Sequence, residues 1–207
     1  MINTIYIPDQ TVGMIKIRNA VIYDFDYSVN ASKFPMKTNT DQMLYDLGAT
    51  QVKLAQSPMG EGHDNWLQGV LVAFDMDISA KALVEMERYH FINIVSSTST
   101  MHRITKFDLD KSYNEYVDPR MIDIMKELVE KYNNDPTEEN YLKILYSNPS
   151  GFTYTIRFTT NYRQLKTIYN QRRSHRLPEW KEFCAWIEKL LHSELMINSW
   201  SRSEQPS

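Results

Sequence analysis

The sequence predicts a single domain that mixes β-strands with α-helices, and three observations carry that expectation. Several short runs alternate apolar and polar residues, as half-buried strands do. Other runs place apolar residues at i, i+3, i+4 and i+7, which lines one face of a helix. No repeat, low-complexity stretch or Pro/Ser-rich linker divides the chain, so residues 1–198 read as one domain and 199–207 as a polar tail. With 207 residues, 42% of them hydrophobic, the chain is long enough to bury a core without disulfide staples.

The first third reads as strands followed by a helix. Ile5 and Ile7, Ile15 and Ile17, then Val21, Tyr23 and Phe25 alternate with more polar neighbours. Between Asn39 and Gln56, Met43, Leu44, Leu47, Val52 and Leu54 fall at roughly helical spacing, and the Pro- and Gly-containing stretch 57–62 is a loop that delivers His63. Leu67 to Met76 is apolar enough for a buried strand. Ser79 then stands where it caps a helix through Leu83, Met86 and Tyr89 that ends near His90.

Phe91 to Val95 is a second apolar segment that reads as a strand, emptying into a hydroxyl-rich loop from Ser96 to Thr100. Pro119 opens a helix bearing Met121, Ile122, Met125, Leu128 and Val129, and a shorter helix runs from Thr137 to Tyr146; this pair has the look of an insertion. Phe152, Tyr154, Ile156 and Phe158 alternate as a strand, after which Thr160 or Asn161 caps a helix with Leu165, Ile168 and Tyr169 on its buried stripe. The last helix starts at Pro178 and carries Trp180, Phe183, Cys184, Ile187, Leu190 and Leu191 on one face.

Composition excludes several functions. Lys and Arg number 23 against 26 Asp and Glu, so the whole-molecule charge offers no footprint for nucleic acid. There are only 6 glycines and neither common glycine-rich phosphate loop, so any nucleotide must be held by side chains. Cys184 is the only cysteine, which rules out an intrachain disulfide and makes a reducing cytoplasm the expected compartment. No apolar run reaches the roughly 20 residues of a membrane span, and MINTIYIPDQ lacks the basic and apolar regions of a secretory signal. The five histidines form no HExxH and no i, i+4 pair, so no metal is expected. Cys184 lies within an apolar stripe, where a thiol behaves as a small hydrophobe.

Arg172-Arg173-Ser174-His175-Arg176 is the one cluster that asks for a ligand. Cations favour a helix C-terminus, where unpaired carbonyls carry partial negative charge, and that alone accounts for such a run. Arg172, however, lies four residues after Ile168 and seven after Leu165, so it continues the apolar stripe and points inward. An inward guanidinium needs an anion or a carbonyl as partner. Both readings stay open. His90, between a helix and a strand, suits a satisfied core histidine as well as a ligand contact, and the run from Ser96 to Thr100 suits a plain turn.

Taken together these residues resemble the flavin-dependent thymidylate synthases. Asn161-x-Arg163-x-Leu165 followed by Arg172, ahead of an amphipathic helix with an early Trp, is similar to that family's C-terminal signature. The family motif RHRxxSxNExSxR sets a serine nine residues after its histidine, as Ser99 stands after His90, and His63 matches an earlier histidine ahead of an apolar strand. In this register Tyr89 and Phe91 replace the two arginines beside the histidine, Ser96 and Ser97 replace Asn-Glu, and Met101 replaces the last arginine. Arg88 and Arg103 lie one and two residues away and would substitute for them only after a local shift.

The resemblance implies an α+β fold, a twisted, mainly antiparallel sheet flanked by helices, with sites formed between the subunits of a homotetramer. It implies one-carbon transfer to C5 of a pyrimidine deoxynucleotide monophosphate, as methylation or hydroxymethylation of dUMP. FAD would be the cofactor, with NADPH and methylenetetrahydrofolate as reactants. Arg172 would be the catalytic arginine that holds the pyrimidine; Ser99, Arg103 and Arg176 would join it in binding substrate; His63, Arg88, His90, Asn161 and Arg163 would contact the flavin. The expected setting is nucleotide biosynthesis in a bacterial cytoplasm, or a host cytoplasm for a viral protein. The alternative is a homologue that binds nucleotide or flavin without methylating.

Overall fold

The computed structural model describes residues 4–58 and 60–197; the polar tail expected from 199 lies outside them. β1 (Thr4–Ile7) and β2 (Gln10–Val12) both pair along β3 (Ile15–Tyr23). Gly13 makes the tight turn between β2 and β3 with a φ of 57°, and a Cβ there would stand 2.0 Å from a carboxylate oxygen of Glu182. Only glycine fits. That carboxylate accepts hydrogen bonds from the N–H groups of Met14 (2.9 Å) and Ile15 (3.3 Å), tying the turn to the last helix.

β4 (Leu71–Ser79) lies between β3 and β6 (Thr153–Asn161), and β5 (Asn93–Ser97) forms the far edge, giving the order β1-β3-β4-β6-β5, antiparallel throughout. Period-two alternation sorts the faces. Ile15, Ile17, Phe74, Met76, Ile156 and Phe158 are fully buried on one side. On the other, Arg18 makes a two-pronged pair with Asp77 (2.8 and 2.7 Å), and Arg157 meets Asp75 at 3.2 Å. α7 (Tyr162–Arg172) and α8 (Pro178–Ile187) cover the apolar face, where Phe74 meets Phe183 and Trp186 at centroid distances of 5.7 and 4.9 Å.

α5 (Pro119–Asn134) and α6 (Glu138–Ser147) form the helix pair expected as an insertion. Met125 and Ile144 pack with Ile104, Leu109 and Phe152 into a second, smaller core docked at the start of β6. Asp118, Thr137, Asn161 and Ser79 each cap the following helix with a side-chain oxygen, as their residue types require.

Several expectations are corrected. Phe25 does not extend the third strand: the chain turns at Asp24 (φ 62°) and Phe25 opens α1 (Phe25–Ala31). The helix expected between Asn39 and Gln56 shrinks to α2 (Ala49–Ala55), because side chains of the preceding segment satisfy the backbone of the rest. Lys33 donates to the Asp46 carbonyl, Lys37 to that of Gln42, and Asn30 accepts from the N–H of Leu44. The strand expected from Leu67 starts at Leu71, since residues 65–68 coil into a 3-10 turn. The strand expected from Phe91 to Val95 runs instead as β5 from Asn93 to Ser97, an edge with exposed side chains, Ile94 and Val95 being 40% and 60% exposed. Ser96 and Ser97 belong to it, and α4 (Thr100–Arg103) follows after Ser99. α3 (Ala80–Met86) ends four residues short of His90. Among the described residues no helix is long and apolar enough to cross a membrane.

Candidate functional site

A cavity of about 390 Å³ opens where β4 and β6 deliver their chain ends. Arg88, Tyr89, His90 and Phe91 line it from the turn after α3, Asp64 and Gln68 from the 3-10 turn before β4, and Asn161, Arg163, Gln164, Thr167 and Gln171 from β6 and α7. Antiparallel pairing of β6 with both β4 and β5 brings these three segments to one edge of the sheet. The Oδ1 of Asn161 accepts from the N–H of Gln164 at 2.9 Å, which caps α7 and leaves the amide N–H₂ of Asn161 for the cavity. Gln164 is buried, and its Nε2 has no hydrogen-bond partner. A buried donor without an acceptor is costly and stands out.

Beneath the cavity lies a buried ion cluster. Asp64 and Lys166 are each 1% exposed at the side chain. Lys166 Nζ donates to Asp64 Oδ2 and to the carbonyls of Ala55 and Ser57, each at 2.7 Å, so its three donors meet three acceptors. Asp64 Oδ1 accepts from Arg163 Nε at 2.9 Å. Arg163 keeps 31% of its side chain exposed, and it lines the cavity.

At the other end of α7 Arg172 points inward, as its place in the stripe requires. Its guanidinium lies 4.7 Å from the Trp180 ring centroid and 5.5 Å from that of Tyr89. Nε donates to the Tyr89 hydroxyl at 2.8 Å and Nη1 to Glu85 Oε2 at 3.2 Å. The same Glu85 oxygen accepts from the Trp180 indole at 3.0 Å and lies 3.5 Å from His175 Nε2, while Lys81 meets the other oxygen at 3.1 Å. Burial works against the ionised carboxyl, yet the Trp180 and Lys81 hydrogen bonds and the charge of His175 hold Glu85 below the usual glutamate value. Tyr89, which donates onward to Gln171, is the link from this cluster to the cavity.

The residues expected at a site thus fall into five places. Arg88, His90, Asn161 and Arg163 share the cavity. Arg172 stands beside it, engaged by Glu85 and Tyr89. Arg176 lines a separate groove of about 660 Å³ between the N-terminal ends of α3, α5 and α8. Ser99 and Arg103 sit past the far end of β5, and His63 is an exposed neighbour of Asp64. Asp64, Glu85, Gln164 and Lys166 are site residues that sequence reasoning missed. A signal existed for Lys166: with Tyr162, Leu165 and Tyr169 it completes an i, i+3, i+4, i+7 stripe, and a lysine there needs a buried partner.

The sequence matches no protein-family model and no curated protein sequence. The fold does match solved structures. Thymidylate synthase X (ThyX) from Helicobacter pylori, solved with FAD and dUMP, superposes with a TM-score of 0.64 at 15% identity, over 95% of this chain and 97% of that one. A second structure of the Helicobacter pylori flavin-dependent enzyme with the same two ligands gives 0.61 at 16% identity, over 84% and 94%. The UMP/dUMP methylase PolB from Streptomyces cacaoi, bound with 5-Br dUMP, gives 0.63 at 14% identity, over 85% and 89%. The chain has the α+β fold of these enzymes, as the resemblance in its motifs implies.

Proposed function

We propose that this protein is a flavin-dependent enzyme that transfers a one-carbon unit, as methyl or hydroxymethyl, to C5 of a pyrimidine deoxynucleotide monophosphate, with dUMP as substrate and FAD as cofactor. The observation that carries this reading is the cavity that gathers Arg88, His90, Asn161 and Arg163, in a fold shared with enzymes solved with FAD and dUMP. The donor set fits such a cofactor. Gln164 presents an unpartnered N–H, Asn161 a spare amide, and Arg88 has no partner among the described residues, so the walls suit an anionic group rich in acceptors. FAD bound there supplies hydride chemistry, with electrons from NADPH and carbon from methylenetetrahydrofolate. The protein binds, orients and excludes water.

In this reading Arg172 holds the pyrimidine and stabilises negative charge that develops on it. Ser99, Arg103 and Arg176 hold the nucleotide, and His63 borders the flavin. Ser99 stands past the opposite end of β5 from His90, so a site that uses both draws them from different copies, which favours a homotetramer. No cysteine attacks the base: burial pushes the Cys184 thiol up to about 12, so it stays protonated at neutral pH. The setting is nucleotide biosynthesis in a cytoplasm, bacterial or, for a viral protein, that of its host.

The pairing of Arg172 with Glu85 favours a second reading, a nucleotide- or flavin-binding protein without transfer activity. One experiment separates the two. Substitution at C5 expels the C5 hydrogen, so C5-tritiated dUMP releases tritium to water when FAD, NADPH and methylenetetrahydrofolate are present. Release by a protein with a flavin visible spectrum supports transfer. Flavin binding without release supports the second reading, and neither signal removes both.

A further inference from the structure

Lys166 is the most deeply buried cation of the described chain, and the reading above gives it no task. Its three acceptors already satisfy it, so it is not poised to attack or to shuttle a proton. Its effect is on the charge of its neighbours. Asp64 is the only carboxylate bound to Arg163 among the described residues, and it divides its two oxygens between Arg163 and Lys166. Two cations therefore share one anion, and the cluster carries one surplus positive charge.

That surplus has one outlet. Lys166 is sealed at 1% exposure, whereas Arg163 is 31% exposed and lines the cavity. Asp64 engages Nε alone, and the terminal N–H groups of Arg163 have no other partner among the described residues. Arg88 adds a second unpartnered cation to the same wall, and the buried Nε2 of Gln164 adds an orphaned neutral donor. We infer that Lys166 is a positioning residue: by taking half of Asp64 it stops that carboxylate from offsetting the whole field of Arg163, and so leaves the Arg163 fork turned toward a phosphate-rich anion in the cavity. A planar fork with free terminal donors matches phosphate oxygens two at a time. The anion is a diphosphate, an identification that rests on the flavin reading; the charge relay itself does not.

Inorganic pyrophosphate is the direct probe, titrated calorimetrically into the wild-type protein, Lys166→Met and the double variant Asp64→Asn/Lys166→Met. In Lys166→Met the whole Asp64 carboxylate falls to Arg163, and pyrophosphate affinity drops by about tenfold, the scale of one charge-assisted contact. The double variant removes one charge of each sign and restores affinity to within about threefold of wild type, since Arg163 again goes unneutralised. A purely structural role for Lys166 predicts no such rescue, because the carbonyls of Ala55 and Ser57 stay unpartnered in both variants. The double variant replaces the buried pair by neutral groups, so it decides the matter even where Lys166→Met does not fold. Loss in the double variant, equal affinity in wild type and Lys166→Met, or no pyrophosphate binding by wild type overturns the inference. Parallel titration with FAD and riboflavin tests the flavin reading separately: a relay that works on pyrophosphate in a protein that binds neither flavin leaves the relay standing and removes the flavin.

Discussion

The two ends of α7 each carry an inward cation beside the cavity, and they use it in opposite ways. Arg163, in the first turn, meets a carboxylate that a fully buried lysine already shares, and only its Nε is engaged. Arg172, in the last turn, is enclosed: two aromatic rings lie within 5.5 Å of its guanidinium, and Tyr89 and Glu85 take Nε and Nη1. Inward placement therefore does not by itself say that an arginine is free for a ligand. What decides is how many acceptors the fold has brought to it, and from which elements. Asp64 reaches Arg163 from the turn before β4, whereas Glu85 and Tyr89 reach Arg172 from α3 and the residues just after it.

The largest difference between the ends is expected in stability. Lys166→Met strips a fully buried carboxylate of its buried partner and should cost about 3–5 kcal/mol in urea unfolding. Arg172→Met keeps apolar contact with Trp180 and Tyr89 and leaves Glu85 bonded to Trp180 and Lys81, so its loss should stay near 1 kcal/mol. Equal losses would erase the contrast between a sealed and a half-buried pair.

Next in size is the effect on ligand. If Arg172 exchanges Glu85 for a nucleotide, Arg172→Ala should weaken dUMP binding by about 2–4 kcal/mol, and Arg172→Lys should recover only part of it. Arg173→Ala, exposed and lying over Tyr169, should change it by less than about 1 kcal/mol. Calorimetry that finds Arg172→Ala as tight as wild type would confine Arg172 to the Glu85 cluster and leave the Arg163 end as the ligand-binding one.

A smaller effect concerns Cys184, buried on α8 within the electrostatic reach of Arg172. Burial raises its thiol to about 12 even though Arg173 and Arg172 pull the other way. Cys184→Ala should thus leave activity intact and cost on the order of 1 kcal/mol for the trimmed sulfur. Loss of turnover at an unchanged melting temperature would mean that this end activates a nucleophile.

Most of the fold was legible because local signals suffice for it. Alternation located β3 and β6, an apolar run located β4, Ser79 and Asn161 marked helix starts by their capping oxygens, and Pro119 marked that of α5. The segment from Asn39 to Gly48 was misread because Lys33, Lys37 and Asn30, earlier in the chain, supply the hydrogen bonds that a helix would have made. β5 was read two residues early because Ser96 and Ser97 look like loop residues by their hydroxyls, although the edge pairs them with β6. At the site, Arg172 declared itself by its stripe, but Glu85 and Asp64 lie 87 and 102 positions from their partners Arg172 and Lys166. No periodicity encodes a pairing of that range. Lys166 was legible by the same stripe logic, had the charge at its position been weighed as that of Arg172 was.

The smallest effect is a signed one in pH. Glu85 is held below the ordinary glutamate value of 4.5, burial opposing but the Trp180 and Lys81 hydrogen bonds and the His175 charge prevailing. A carboxyl that ionises more readily in the folded chain than in the unfolded one adds stability above the unfolded value, and that contribution drains away as pH falls from about 4.5 toward the folded value. Arg172, Lys81 and His175 all face Glu85, and none of them is an anion that would reverse the sign. Glu85→Gln keeps the shape and one acceptor oxygen while removing the charge. Its destabilisation, read as the shift in urea midpoint against wild type, should be largest near pH 6 and shrink by pH 3.5. A shift of the same size at both pH values would mean that the Glu85 charge contributes nothing and that the Arg172 end is held by its two rings alone.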